Sequence, residues 1–281
     1  VPGLLPISLG CLYIGYSYSA LMRRGEDRAL ILTYVGLAVF FVTVAIPIQL
    51  KHGWVTISWA IEGIVLVWLG FKLGYKEIRR IGLGIGAMSL VKILLFDYSY
   101  YVYSYSTNTF LLNERMLAYL VVVLLTFAAA WIYKMNKDRI SPEERAISTA
   151  LVLLANFVLL VQLSVEAKTY FGHIAYIKAE TLLSAFQTEY AKLFSARELS
   201  LSLLWVIYAF IMMAIGMARK FRALRIMALI LFGAAILKIF LSDLSQLERA
   251  YRIISFITLG IVLITASFFY QRYRDEIRNL L

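Results

Sequence analysis

Apolar runs of membrane-crossing length follow one another along the chain, at about 4–21, 29–48, 54–71, 81–97, 115–133, 146–165, 199–218, 224–242 and 250–270. A helix rises 1.5 Å per residue, so about 20 apolar residues cross the ~30 Å hydrocarbon core of a bilayer. The pattern predicts an all-α, polytopic transmembrane helical bundle of about nine spans. Composition agrees, with 62% hydrophobic and 16% charged residues, against roughly 45–50% and 25% in soluble domains. The first run is followed by Arg23 and Arg24 rather than by the small residues of a cleavage site, so it does not read as a signal peptide. The opening Val1-Pro2-Gly3 carries no initiator Met; of a processed start and a piece of a longer protein, the piece is the expectation.

Net charge is +11, and its placement matters more than its sum. The turns after spans one, three, five and seven and the C-terminal tail hold 18 of the 28 basic residues, among them Lys72, Lys76, Arg79, Arg80, Arg219, Lys220, Arg222 and Arg225. The alternate connections are poorer. The positive-inside rule therefore predicts an N-terminus outside and a C-terminus in the cytoplasm, with membrane lipids as partners of the basic turns. No basic stripe interleaved with stacking aromatics lies outside the spans, so nucleic acid is not an expected partner. Cys11 is the single cysteine and His52 and His173 have no ligand-spaced neighbours. No metal site or cofactor is expected.

The chain also repeats itself. A shift of 146 brings Trp59 onto Trp205, Gly70 onto Gly216, Lys76 onto Arg222, Arg79 onto Arg225, Lys92 onto Lys238 and Asp97 onto Asp243, without a gap. Shifts of 117 and 134 bring "EDRA" (26–29) onto "EERA" (143–146) and "NERM" (113–116) onto "LERA" (247–250). The expected organisation is a leading transmembrane helix at 1–25, a four-helix repeat at 26–140 and a second at 141–281. An even number of crossings keeps both copies in one orientation, which makes this a parallel duplication. The second copy carries an insertion near 167–197, whose apolar residues at near-helical spacing predict an extracytoplasmic amphipathic helix.

Two charges stand out in each copy. "LVKILLFDYS" (90–99) and "ILKIFLSDLS" (236–245) place Lys92 and Lys238 in apolar runs, each followed five residues later by Asp97 or Asp243. Five residues of α-helix leave the two groups about 140° apart, so each lysine is expected to look elsewhere. Glu62, at a depth of about 12 Å in span three, is the candidate partner of Lys92, and Tyr208 replaces it in the second copy. Arg115 and Arg249 complete the candidate ligand-binding set. A tyrosine-rich loop, "YSYYVYSYSTNTF" (98–110), reads either as an aromatic belt at the interface or as a glycan-stacking surface. "GLGIG" (82–86) has no preceding strand and is read as a GxxxG helix contact rather than a nucleotide loop. Pro47 is expected to end or kink span two.

The stretch 224–274, with Lys238, Phe240, Asp243, Leu244, Arg252, Ile253, Ser255, Phe256, Tyr270, Gln271 and Arg272, resembles the C-terminal end of a large bacterial family of predicted multi-pass membrane proteins of unknown function. The first copy departs from that pattern at Leu94 and Tyr98. The resemblance implies the C-terminal part of a longer protein of the bacterial inner (cytoplasmic) membrane, with the remainder of the chain or other membrane subunits as partners. It implies no activity.

Three functions are compatible with these residues. The leading one is transport or handling of an anionic lipid or lipid-linked glycan in an outward-facing polar cavity around Lys92, Lys238, Asp97 and Asp243. The second is a structural or assembly subunit whose charges form an internal network. The third is a membrane enzyme using Asp97 or Asp243 as base on a lipid-linked substrate. No nucleophile–base arrangement is evident, so catalysis is not the expectation.

Overall fold

A computed structural model describes residues 4–22, 28–51, 53–97, 113–181 and 186–243. Helices α1 (Leu4–Met22), α2 (Arg28–Gln49), α3 (Gly53–Leu73), α4 (Lys76–Lys92), α5 (Glu114–Met135), α6 (Arg145–Thr181), α7 (Phe186–Ala218) and α8 (Arg222–Lys238) follow in order. Helix α4 runs on into a π-turn at Ile93–Asp97, and α8 into another at Ile239–Asp243. The described residues contain no strand. Each of the first eight apolar runs falls on a described helix. The ninth, 250–270, and the tyrosine-rich loop lie outside the described residues, as does Arg249.

Six of these helices are long and apolar enough to cross a membrane: Ala29–Gln49, Gly53–Leu73, Glu114–Met135, Pro142–Ala175, Leu193–Ala218 and Arg222–Leu241. Helix α1 is diluted by Gly, Ser and Tyr, and α4 opens on Lys76, Glu77, Arg79 and Arg80. Large apolar side chains point outward along the helices, with Trp131 63% and Phe210 72% exposed. Hydrocarbon is a solvent for such side chains; water is not. Residues 167–181 and 186–197, expected to form a separate amphipathic helix, instead extend α6 and begin α7. At 37 residues, α6 is about 55 Å long and outreaches the ~30 Å hydrocarbon core.

The chain forms two compact units, Val1–Gln162 and Leu163–Leu281. In the first, α3 is central. Its Leu66 packs with Ile78 and Ile85 of α4 and with Leu32, Val35 and Val39 of α2. Its other side joins Tyr119, Val122 and Val123 of α5 and Ala155 and Val158 of α6. Glycine permits the closest contact: a Cβ on Gly82 would lie 2.6 Å from the Gly63 carbonyl oxygen, and one on Gly63 would lie 2.8 Å from that of Gly82. Backbones at that distance admit no side chain between them. The Gly82–Gly86 pair thus divides its work, because a Cβ on Gly86 would meet nothing within 4 Å. Pro47 lies near the end of α2 without ending it.

In the second unit, α7 and α8 form a hairpin whose turn matches that of α3 and α4. Gly74 has φ +79° and Lys220, 146 residues later, has φ +50°. Around Lys220 the Phe221 N–H bonds the Gly216 carbonyl at 2.8 Å and the Lys220 N–H bonds that of Met217 at 3.1 Å. These are the two bonds of a Schellman cap, whose left-handed position favours glycine.

Candidate functional site

The clearest polar constellation of the first unit forms where α4 passes into its π-turn. Lys92 Nζ donates to Asp97 Oδ1 at 2.6 Å and to Thr56 Oγ1 of α3 at 3.0 Å. Thr56 Oγ1 in turn donates to Asp97 Oδ2 at 2.6 Å. The Lys92 and Asp97 side chains are only 19% and 8% exposed, and Thr56 is fully buried. The expectation that Lys92 and Asp97 face apart is overturned. It assumed α-helical rotation, whereas a π-turn closes by i→i+5 bonds and carries the residue five ahead round to the lysine's side.

Neighbouring groups brace that turn. The buried Tyr119 hydroxyl donates to the Ile93 carbonyl at 2.9 Å, and Ser89 Oγ donates to the Thr56 carbonyl at 3.0 Å. Glu62 does not reach Lys92. It accepts instead from Thr43 Oγ1 of α2 at 2.7 Å, while Trp59 Nε1 donates to the Thr43 carbonyl at 3.1 Å. Six residues separate Thr56 from Glu62, about 120° of helix rotation and 9 Å of rise, so the two face different neighbours.

In the second unit, Lys238 sits at the same place at the end of α8. Its Nζ donates to Ser202 Oγ at 2.9 Å and to the Glu198 carbonyl at 3.1 Å, and pairs with Glu198 Oε2 at 3.2 Å. The other carboxylate oxygen of Glu198 takes Arg197 at 3.0 Å. Ser202 stands 146 residues after Thr56, so both lysines reach a hydroxyl at corresponding positions of the preceding helix. The backbone of Asp243 closes the second π-turn, and its side chain lies outside the described residues. Tyr208 is half-buried on α7, six residues from Ser202. Arg115 is 1% exposed in the first turn of α5, whose N-terminus is capped by Asn113 Oδ1 accepting from the Met116 N–H at 2.7 Å.

Sequence reasoning missed both hydroxyls and Glu198. The 146-residue register carried a signal for the hydroxyls, since it superposes Thr56 and Ser202 in otherwise apolar spans. It carried none for Glu198, which corresponds to His52. A second error concerns Arg79 and Arg225, counted among the charges of the basic turns. Arg79 is 5% and Arg225 7% exposed. Arg79 bonds Glu144 at 2.8 Å and lies over the Phe71 ring, 4.6 Å from its centre. A Cβ on Gly70 would come within 2.5 Å of Arg79 Cγ, and one on Gly216 within 2.7 Å of Arg225 Cγ. Each glycine leaves the room its arginine occupies.

No curated protein and no protein of solved structure matches the chain. A family model described as "Predicted membrane protein (DUF2339)" matches residues 4–105 and 77–273, which together take in nearly all of the 281 residues. The apolar helices and this match together make the chain a member of that family of predicted membrane proteins.

Proposed function

We propose that the protein handles an anionic lipid or lipid-linked glycan in the bacterial inner membrane, with Lys92 and Lys238 as the groups that read the headgroup. The observation that carries this reading is the twofold occurrence of one arrangement: a lysine at the end of an apolar helix, a π-turn after it, a hydroxyl on the preceding helix and a carboxylate closing the charge. Ionisable groups are rare within membrane spans and gather where substrates or ions pass. The carboxylates differ in origin while the lysine and hydroxyl keep their places, so the anion is the exchangeable member. A phosphate or carboxylate headgroup has the charge and acceptor oxygens to take its position.

The parallel duplication belongs to the same proposal. It is supported by the matched turns at Gly74 and Lys220, the matched glycine–arginine contacts and the matched π-turns. The orientation with N-terminus outside places both lysines toward the outer face, where lipid-linked glycans would be met. Lipids and the rest of a longer chain or other membrane subunits are the partners this reading names.

The completed bonding of each lysine favours a second reading, an assembly or structural subunit whose charges hold helices together. Native mass spectrometry separates the two readings. The parent should carry a co-purifying anionic lipid or glycolipid that is lost from Lys92→Met/Asp97→Asn, a variant that removes both charges and strands neither. A parent with no bound species, beside a variant with a lowered melting temperature, would end the lipid-handling reading and leave the structural one.

A further inference from the structure

A groove of about 230 Å³ runs through the first unit between α3, α4, α5 and the beginning of α6. Its walls extend along α3 from Ala60 to Val67 and along α4 from Gly82 to Leu90, a length of ~10–12 Å. That volume over that length has the calibre of one hydrocarbon chain. The lining is almost wholly apolar, and the Thr126 hydroxyl in it is turned back to its own helix, donating to the Val122 carbonyl at 2.7 Å. A cleft with no polar partner to offer holds no water. Interiors pack with few voids larger than a water molecule, so an opening of this size within membrane-crossing helices has a use.

We infer that the groove seats an acyl chain of a membrane lipid, with its polar end at the Lys92–Asp97–Thr56 cluster. Two observations point to that occupant. The end of the groove at Ala60 and Leu90 adjoins the cluster: Thr56 lies one helical turn before Ala60, and Lys92 two residues after Leu90. Apolar slot and cation are thus arranged as the parts of an amphiphile are. The groove also depends on residues that the second unit does not share. Gly63, Gly82 and Gly86 correspond, 146 residues on, to Ala209, Ala228 and Phe232, and a phenylalanine at the last position would fill the space. The slot is therefore a property of the first unit rather than of the helix arrangement. The identity of the headgroup end rests on the lipid-handling reading above; the acyl slot stands on its own geometry.

Gly86→Phe is the variant that tests it, because a Cβ there meets nothing within 4 Å and the Gly63–Gly82 contact is left intact. The full chain is reconstituted into vesicles with phosphatidylglycerol carrying a diazirine in mid-chain, or phosphatidylcholine with the same chain, and the cross-linked peptides are mapped. Labelling is expected on peptides spanning 82–90 and 122–129. Gly86→Phe should lower it at least tenfold and Gly86→Ala partially, while Gly84→Phe leaves it unchanged, since Gly84 is exposed and does not line the groove. Labelling that ignores Gly86→Phe would reduce the groove to ordinary boundary lipid and overturn the inference. Absence of groove labelling in the parent would do the same, leaving a second copy or another segment of the chain as the cover. Labelling lost in Gly86→Phe but equal for the two lipids would keep the slot and remove the anionic headgroup. A phosphatidylglycerol preference that disappears in Lys92→Met/Asp97→Asn would uphold both.

Discussion

The lysine at the end of α4 and the lysine at the end of α8 face one physical problem and meet it with different anions. Lys92 is closed by Asp97 from its own chain segment, five residues on, with Thr56 bonded to both. Lys238 is closed by Glu198 from the preceding helix, with Ser202 beside it. The cation and the hydroxyl hold corresponding places, whereas the carboxylate comes from whichever element brings one near. A charge in apolar surroundings requires an opposite charge within reach, and that demand fixes a distance without naming a residue.

Breaking the anion should have the largest effect. Asp97→Asn leaves Lys92 without its charge partner and is expected to cost about 3–5 kcal/mol, read as a fall in the midpoint of chemical or thermal unfolding in detergent. Adding Lys92→Met should recover more than half of that loss. Glu198→Gln should cost less, because Lys238 keeps the Glu198 carbonyl and the Ser202 hydroxyl. Equal losses at the two sites would contradict the asymmetry described here.

The hydroxyls sharpen the comparison further. Thr56→Val removes bonds to both a cation and a carboxylate and should cost ~1.5–3 kcal/mol. Ser202→Ala removes one bond to Lys238 and should sit at or below the lower end of that range in the same unfolding assay.

Glycine contacts give the next contrast. Gly82→Ala sets a methyl 2.6 Å from a backbone oxygen that has no rotamer to change, for an expected loss of about 1–3 kcal/mol. The corresponding position already holds Ala228, and Ala228→Gly should cost only about 1 kcal/mol through helix propensity. The smallest effect is a gain. Lys220 holds a left-handed conformation that Gly74 holds in the other hairpin, so Lys220→Gly should stabilise by roughly 1 kcal/mol, seen as a small rise in melting temperature. A fall would mean that the Lys220 side chain contributes more than its backbone strain removes.

Much of the fold was legible before any coordinates. Each of the first eight apolar runs lies on a helix, because the length of an apolar run is a local property that the membrane reads directly. The 146-residue register likewise led to corresponding turns and corresponding lysines. Partners were harder. Lys92 was paired with Glu62, which bonds Thr43 instead. Arg79 was counted as a basic-turn charge, yet it is buried against Glu144 and Phe71. The inserted residues near 167–197 extend two long helices instead of forming one of their own.

These errors share a cause. A soluble helix shows its buried face as an apolar stripe, but a helix in hydrocarbon is apolar on every side, so its pattern does not say which face meets a neighbour. The amino-acid order by itself determined that the chain is a bundle of membrane helices, where most of those helices lie, and that a lysine stands at the end of one helix and again 146 residues later. Only the tertiary structure decided that a π-turn swings Asp97 back to Lys92, that Thr56 and Ser202 receive the lysines, and that Gly86 opens on a groove while Gly82 closes on a backbone. Each of those outcomes depends on the rotation and spacing of one helix against another, which residues far apart in the chain set jointly.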